Sequence, residues 1–263
     1  LSDLLSRSKL FADPGTAFYY SNFGYGVAGL MLEVAWNRFS GQSVSYEQLM
    51  QRKLFIPLGV TTGICGVPGM SNTTPTNLPA ANPSPVAIGH SGMTNDPAEG
   101  FLPGDPVGLG CADAENPLLM SPAGTWAMSM SDYAKLLNVQ MQTNQSPLLD
   151  RIGLSIKTLV DIRTPVILYP ATNAFSFSLG WLVDNATTSH LVYTGSNERW
   201  VSSVDARLDS QVAVVAACNQ GGANQAVNEA LAVLTAIPGP RATTTGNGPV
   251  KQVRKDDAMH HDR

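Results

Sequence analysis

Few residues in this chain have the types and spacing that chemistry requires. Gly24-Tyr25-Gly26-Val27-Ala28-Gly29 spells G-x-G-x-x-G, and Glu47 stands near the acidic position that would hold a ribose hydroxyl. That pattern binds a dinucleotide only where a buried parallel strand enters the glycine turn and a helix receives the pyrophosphate on its amides. Here the turn Asp13-Pro14-Gly15 and the aromatic run Phe18-Tyr19-Tyr20 precede it, and no alternation of strands and helices follows. The expectation is that these small residues let a helix pack closely on a neighbour. His90 and His190 are far apart, His260 and His261 lie near the C-terminal end, and no two cysteines have ligand spacing, so no metal and no cofactor is expected. A G-x-S-x-G nucleophile elbow is absent. Cys65, Cys111 and Cys218 are too scattered for a disulfide framework and read as small hydrophobes. Two polar clusters remain: Tyr20-Ser21-Asn22 at the mouth of a helix, and Tyr193-Thr194-Gly195-Ser196 at the end of a strand. Taken singly, Tyr20 reads as a core aromatic, Asn22 as a helix cap and Gly195 as a turn residue.

The elements that position these clusters follow from periodicity. Phe23, Val27, Leu30, Met31 and Val34 fall at helical spacing and predict an amphipathic helix capped by Ser21 or Asn22. A second helix is expected from Ser45, with Gln48 in capping-box position, ending before Pro57. Residues 60–122 hold more than half of the 18 prolines and show no sustained period, which predicts a long irregular, insertion-like layer. A helix is expected over Ser129–Thr143 and a weaker one over Leu148–Val160, interrupted by Gly153. Then the period switches to two. Phe175, Phe177, Leu179, Trp181 and Val183 alternate as in a strand, and Leu191–Thr194, Trp200–Leu208 and Gln211–Cys218 continue as an antiparallel meander. Asn224–Ile237 predicts a closing helix, and residues 238–263 a disordered tail.

Composition narrows the function. The 263 residues carry a formal charge of −4 and only 14% charged side chains, with 43% hydrophobic. A nucleic-acid or anionic-membrane partner would require a basic face that this balance does not supply. No stretch of eighteen apolar residues exists to span a bilayer. The chain opens at Leu1 without a leader, which is expected of a piece or a processed form; an exported or periplasmic address would need a signal peptide upstream.

Taken in order, Pro14-Gly15 before Tyr20-Ser21-Asn22, then Pro57-Leu58-Gly59, Gly180-Trp181, Thr194-Gly195-Ser196 on a strand and Cys218-Asn219 resemble the serine β-lactamase-like superfamily. The likeness is to its class C branch, with penicillin-binding, D-aminopeptidase and esterase relatives, and runs from about Phe11 to Ile237. It implies an α+β fold: an antiparallel sheet flanked by helices, with a second, mostly helical or irregular region, here lacking its N-terminal part. It also implies acyl transfer, because a serine hydroxyl is a weak nucleophile until a nearby base takes its proton. By this resemblance Tyr20 would relay that proton and Asn22 would bind the substrate amide or the catalytic lysine. Tyr193 would stand where relatives carry a cation, beside Thr194 and Gly195, and the Ser196 amide would be an oxyanion donor.

The family's nucleophile lies on a buried Ser-x-x-Lys helix. Ser6-Arg7-Ser8-Lys9 spells the motif but stands only fourteen residues before Tyr20, so a surface connector is expected there and the true motif upstream. The resulting expectation is a partial domain over 1–237, from a serine hydrolase acting on a small-molecule amide or ester. The alternative is a catalytically inactive binding module that keeps the groove without the nucleophile.

Overall fold

A computed structural model describes residues 6–7, 9–13, 15–65, 94–96, 100–102, 116 and 120–236. Most of the irregular layer expected over 60–122, the tail 238–263, and His90, Cys111, His260 and His261 lie outside them.

Helix α1 spans Asn22–Ser40, and its cap is Ser21, whose Oγ accepts from the Gly24 amide at 3.0 Å. Asn22 is therefore the first helical residue and not the cap. The expected apolar face is not what this helix buries. Gly26 and Gly29 are its buried residues, while Met31 and Val34 are exposed. A Cβ at Gly29 would sit 2.2 Å from Pro122 Cγ, so the glycines serve close packing, as the missing strand–turn context had indicated.

Helix α2, Tyr46–Met50, has the full capping box between Ser45 and Gln48. The chain does not stop before Pro57: a π-helical turn over Gln51–Phe55 leads into α3, Ile56–Leu58, which takes Pro57 in its first turn. The wider π spacing, in which the Ile56 amide bonds back to the Gln51 carbonyl, opens the helical run where Pro57 supplies no amide and its ring would crowd a regular α turn. Next come β1 (Ile64–Cys65), β2 (Thr94–Asp96), β3 (Gly100–Leu102), α4 (Ser121–Gly124) and β4 (Trp126–Ala127), with β1 paired to β4 and β2 to β3. Helix α5, Met130–Gln140, is capped by Ser129 as expected. Gly153, at φ 66°, breaks the following stretch into α6 (Pro147–Arg151) and α7 (Ile156–Arg163).

One antiparallel sheet of six strands follows: β5 (Ile167–Leu168), β6 (Phe175–Phe177), β7 (Leu182–Asp184), β8 (His190–Ser196), β9 (Val201–Arg207) and β10 (Val212–Cys218), each beside its sequence neighbour. The alternation from Phe175 to Val183 is not a single strand. It is a hairpin, turned at Gly180, whose φ of 101° is accessible to glycine without the clash a Cβ would bring. Helix α8, Asn224–Ala236, closes the described chain.

The fold is thus α+β, with helices on both faces of the sheet. One face packs Val183, Leu191, Val204 and Ala206 against Leu137 of α5 and Met141, which caps that helix. The other receives α8 through Val227 and Leu231. A second core joins Phe55, Leu58 and Val60 to Val139, Leu149 and Leu159. Asp132 ties α5 to the segment after α3 from a nearly buried position, 3% exposed. Its Oδ2 accepts from the Thr61 amide at 2.9 Å, the Thr62 amide at 2.7 Å and the Thr62 hydroxyl at 2.6 Å. Lys135 pairs with its other oxygen at 2.6 Å. Burial disfavours the charged form, but these donors outweigh it and hold the carboxyl well below the usual carboxylate range.

Candidate active site

The two polar clusters meet. Tyr20 directly precedes the α1 cap, where the extended Ser21 backbone turns the chain into the helix. Tyr193 lies in the second half of β8. Their hydroxyl oxygens are 3.2 Å apart. Tyr20 is 53% exposed, which sets aside the reading of it as a core aromatic. Phe177 backs the pair: its ring centroid lies 6.3 Å from that of Tyr20, stacks at 4.8 Å on Phe18 and meets Tyr169 edge-on at 5.1 Å.

Tyr193 is half-buried. Burial first, and then the hydrogen bond and proximity to Tyr20, with Tyr25 and Tyr169 nearby, push its pKa above the ordinary phenol value. It is therefore neutral throughout the physiological range. One hydrogen bond between two hydroxyls consumes one of their two protons, so this pair retains a second proton to give.

Strand geometry decides what else faces the same opening. Strand β7 accompanies β8 only at Leu191 and Val192, whereas β9 runs beside it to Ser196. The Asn197 amide donates across the hairpin turn to the Trp200 carbonyl at 3.3 Å. Successive amides of an antiparallel strand point to opposite edges. The Ser196 and Thr194 amides therefore point to the edge that β7 has left open. Phe177 of β6 and the Phe18–Tyr20 segment lie toward that edge.

The remaining expected residues divide. Asn22 is half-buried, and its side chain has no hydrogen-bond partner among the described residues. Gly195 is not required by packing, since the nearest atom to an added Cβ is Ser202 Oγ at 3.8 Å. The Thr194 side chain turns to the opposite face from Tyr193 and meets Ser203 Oγ at 2.6 Å. Ser6 and Lys9 are both exposed, as expected of a surface connector, and Ser8 lies outside the described residues.

Sequence reading did not single out the aromatic surround of Tyr25, Tyr169 and Phe177, or a clamp at the start of β8. There His190 Nε2 lies 2.8 Å from Asp205 and Nδ1 3.5 Å from Asp184, while Arg207 reaches Asp205 at 3.2 Å. The Ala186 amide, and then His190, lower the Asp184 pKa. This clamp crosses β7, β8 and β9 and fixes their register upstream of Tyr193. Only the positions of these groups in the sheet join them, so no local motif announces them.

Comparison with known proteins follows the same lines. The family model described as Beta-lactamase matches residues 1–237. An octameric penicillin-binding protein homologue from Pyrococcus abyssi superimposes with a TM-score of 0.57 at 20% identity, covering 85% of this chain and 44% of that one. A beta-lactamase/D-alanine carboxypeptidase from Pseudomonas syringae gives a TM-score of 0.62 at 17% identity, with 90% and 64% covered. A class C beta-lactamase gives 0.62 at 16% identity, with 91% and 64% covered. The chain spans 44% to 64% of the length of these three structures. A search of curated proteins finds no match. Among the described residues, no helix is long and apolar enough to cross a membrane.

Proposed function

The chain belongs to the Beta-lactamase family, and from that premise we propose that it carries the tyrosine and oxyanion side of a serine hydrolase site. The site acts through an acyl-enzyme on an amide or ester bond of a small molecule. The observation that carries this reading is the Tyr20–Tyr193 contact at 3.2 Å, beside a strand edge with outward-facing amides.

In this reading the serine nucleophile comes from a Ser-x-x-Lys helix outside the residues described. Its oxygen attacks the carbonyl carbon while its proton passes toward Tyr20 and the lysine. The negative charge that develops on the carbonyl oxygen is met by the Ser196 amide, already oriented and needing no reorganisation. Collapse of the tetrahedral intermediate breaks the bond to the leaving group, which takes its proton back from Tyr20. Water then repeats the sequence to release the acyl group. Asn22 hydrogen-bonds the substrate amide, and Gly195 lets substrate backbone lie against the strand.

Tyr193 changes the selectivity. A neutral phenol hydrogen-bonds to Tyr20 but offers no charge to a substrate carboxylate. Esters and amides lacking a carboxylate at that end are the favoured substrates, so an esterase or peptidase activity is preferred over hydrolysis of β-lactams.

The exposure of Ser6 and Lys9 favours a second reading: an inactive module that binds ligand in the groove without forming an acyl-enzyme. A chromogenic ester and a serine-directed phosphonate, applied to the complete natural polypeptide, separate the two. Turnover and labelling that require Tyr20 support the hydrolase; saturable binding with neither supports the module.

A further inference from the structure

Thr194 and Ser203 stand directly opposite each other in the β8–β9 register. Their hydroxyl oxygens are 2.6 Å apart, and Ser203 Oγ lies 3.3 Å from Asn228 Oδ1 on α8. Ser203 is 3% exposed, whereas Thr194 is in the exposed end of its strand. The direction of this file follows from proton counting. An amide oxygen only accepts, so Ser203 spends its single proton on Asn228. Thr194 must then donate to Ser203. The file thus runs Thr194 to Ser203 to Asn228, on the face of the sheet opposite Tyr193.

Strand β8 needs such a tie. Beyond Val192 it has lost β7, and among the described residues no other strand pairs with that edge of Tyr193–Ser196. A donor aimed at a developing oxyanion is useful only while its position is fixed, and a displacement of about 1 Å costs on the order of 100-fold in rate. We propose that Ser203 is a positioning residue, which locks Thr194 to α8 and thereby fixes the Ser196 amide at the cleft. This rests on the hydrolase reading above and extends it to a buried residue that touches no substrate.

The test uses the complete natural polypeptide and the chromogenic ester. Ser203→Ala removes the junction without adding bulk. It is expected to lower kcat about tenfold with KM nearly unchanged, because an oxyanion donor acts on the transition state and not on ground-state binding. Ser203→Thr keeps the hydroxyl and adds one methyl at a residue that lines, with Thr194, Asn228 and Leu231, an open groove of about 330 Å³. That variant is expected to stay within about threefold of the parent. Thr194→Val, which removes the other end of the bond, should reproduce the kcat loss, and adding Ser203→Ala to it should cost nothing further. An unchanged kcat in Ser203→Ala overturns the proposal, as do equal losses in the Ala and Thr variants or additive losses in the double variant. Tyr20→Phe in the same assay separates the two levels. If it leaves turnover intact, or the parent shows none, the hydrolase reading fails and this proposal falls with it. If Tyr20 is essential and Ser203→Ala is silent, only the positioning role fails.

Discussion

Tyr20 and Tyr193, 173 residues apart in sequence, place their hydroxyl oxygens 3.2 Å from each other. The contact joins the mouth of α1 to the part of β8 that β7 no longer accompanies, and the proposed chemistry of the cleft rests on it. A neutral hydroxyl at 193 can steer the Tyr20 proton but cannot stabilise charge as an ammonium group would.

Substitution at 193 should therefore change selectivity more than it changes the fold. Tyr193→Lys is expected to raise kcat/KM for a substrate with a carboxylate beside the scissile bond at least tenfold relative to its neutral methyl ester. That corresponds to about 1.4 kcal/mol of differential transition-state binding. Paired assays of the acid and ester forms check it; an unaltered ratio would show that position 193 does not face the substrate.

Stability should fall at both pH extremes for separate reasons. The folded-state pKa of Asp132 is depressed, so its contribution is complete above the ordinary value of 3.8 and is lost as pH falls below it. That of Tyr193 is raised, so its contribution is complete below 10.0 and is lost as pH climbs above it. Asp132→Asn should cost about 2 kcal/mol at neutral pH, from weakened bonds to a charged acceptor, and flatten the acid limb. Tyr193→Phe should flatten the alkaline limb. Melting curves from pH 3 to 11 read both.

The glycine-rich stretch of α1 gives a packing prediction. Gly29→Ala drives a methyl into the rigid ring of Pro122, 2.2 Å away, and should destabilise the fold by about 1–3 kcal/mol. Gly24→Ala, whose added Cβ would meet only Ser21 atoms at 3.6 Å, should be near neutral. Denaturant titration distinguishes the two, and equal effects would contradict the packing role.

Strand β10 is an edge of the six-stranded sheet among the described residues, and Val212–Cys218 contains no charge or proline to blunt it. Such an edge templates pairing with another chain. Ala217→Lys, at an exposed position, should lower the sedimentation-average mass of concentrated samples. An unchanged mass would mean that this edge is already covered.

The meander and the helix caps at Ser45 and Ser129 were legible in sequence, because each rests on local rules: period two, or a side-chain oxygen facing free amides. Three elements were misread where a local rule meets a longer-range demand. The Phe175–Val183 alternation reads as one strand until Gly180 folds it back, and the helix from Ser45 runs on through Pro57. The apolar pattern of α1 includes Met31 and Val34, which are exposed, although the close packing of its glycines was read correctly. The site shows the same division. Tyr20 and Tyr193 were recognisable as members of two ordered motifs. Ser203, Asn228 and the His190 clamp depend on cross-strand register and helix docking, which no local spacing encodes.

The most direct test is covalent labelling of the complete natural polypeptide by a serine-directed phosphonate, with the adduct located by mass spectrometry. The account predicts one adduct, on a serine of a Ser-x-x-Lys helix outside the described residues, with its rate of formation falling at least 100-fold in Tyr20→Phe. An adduct on Ser6, or labelling indifferent to Tyr20, would contradict it.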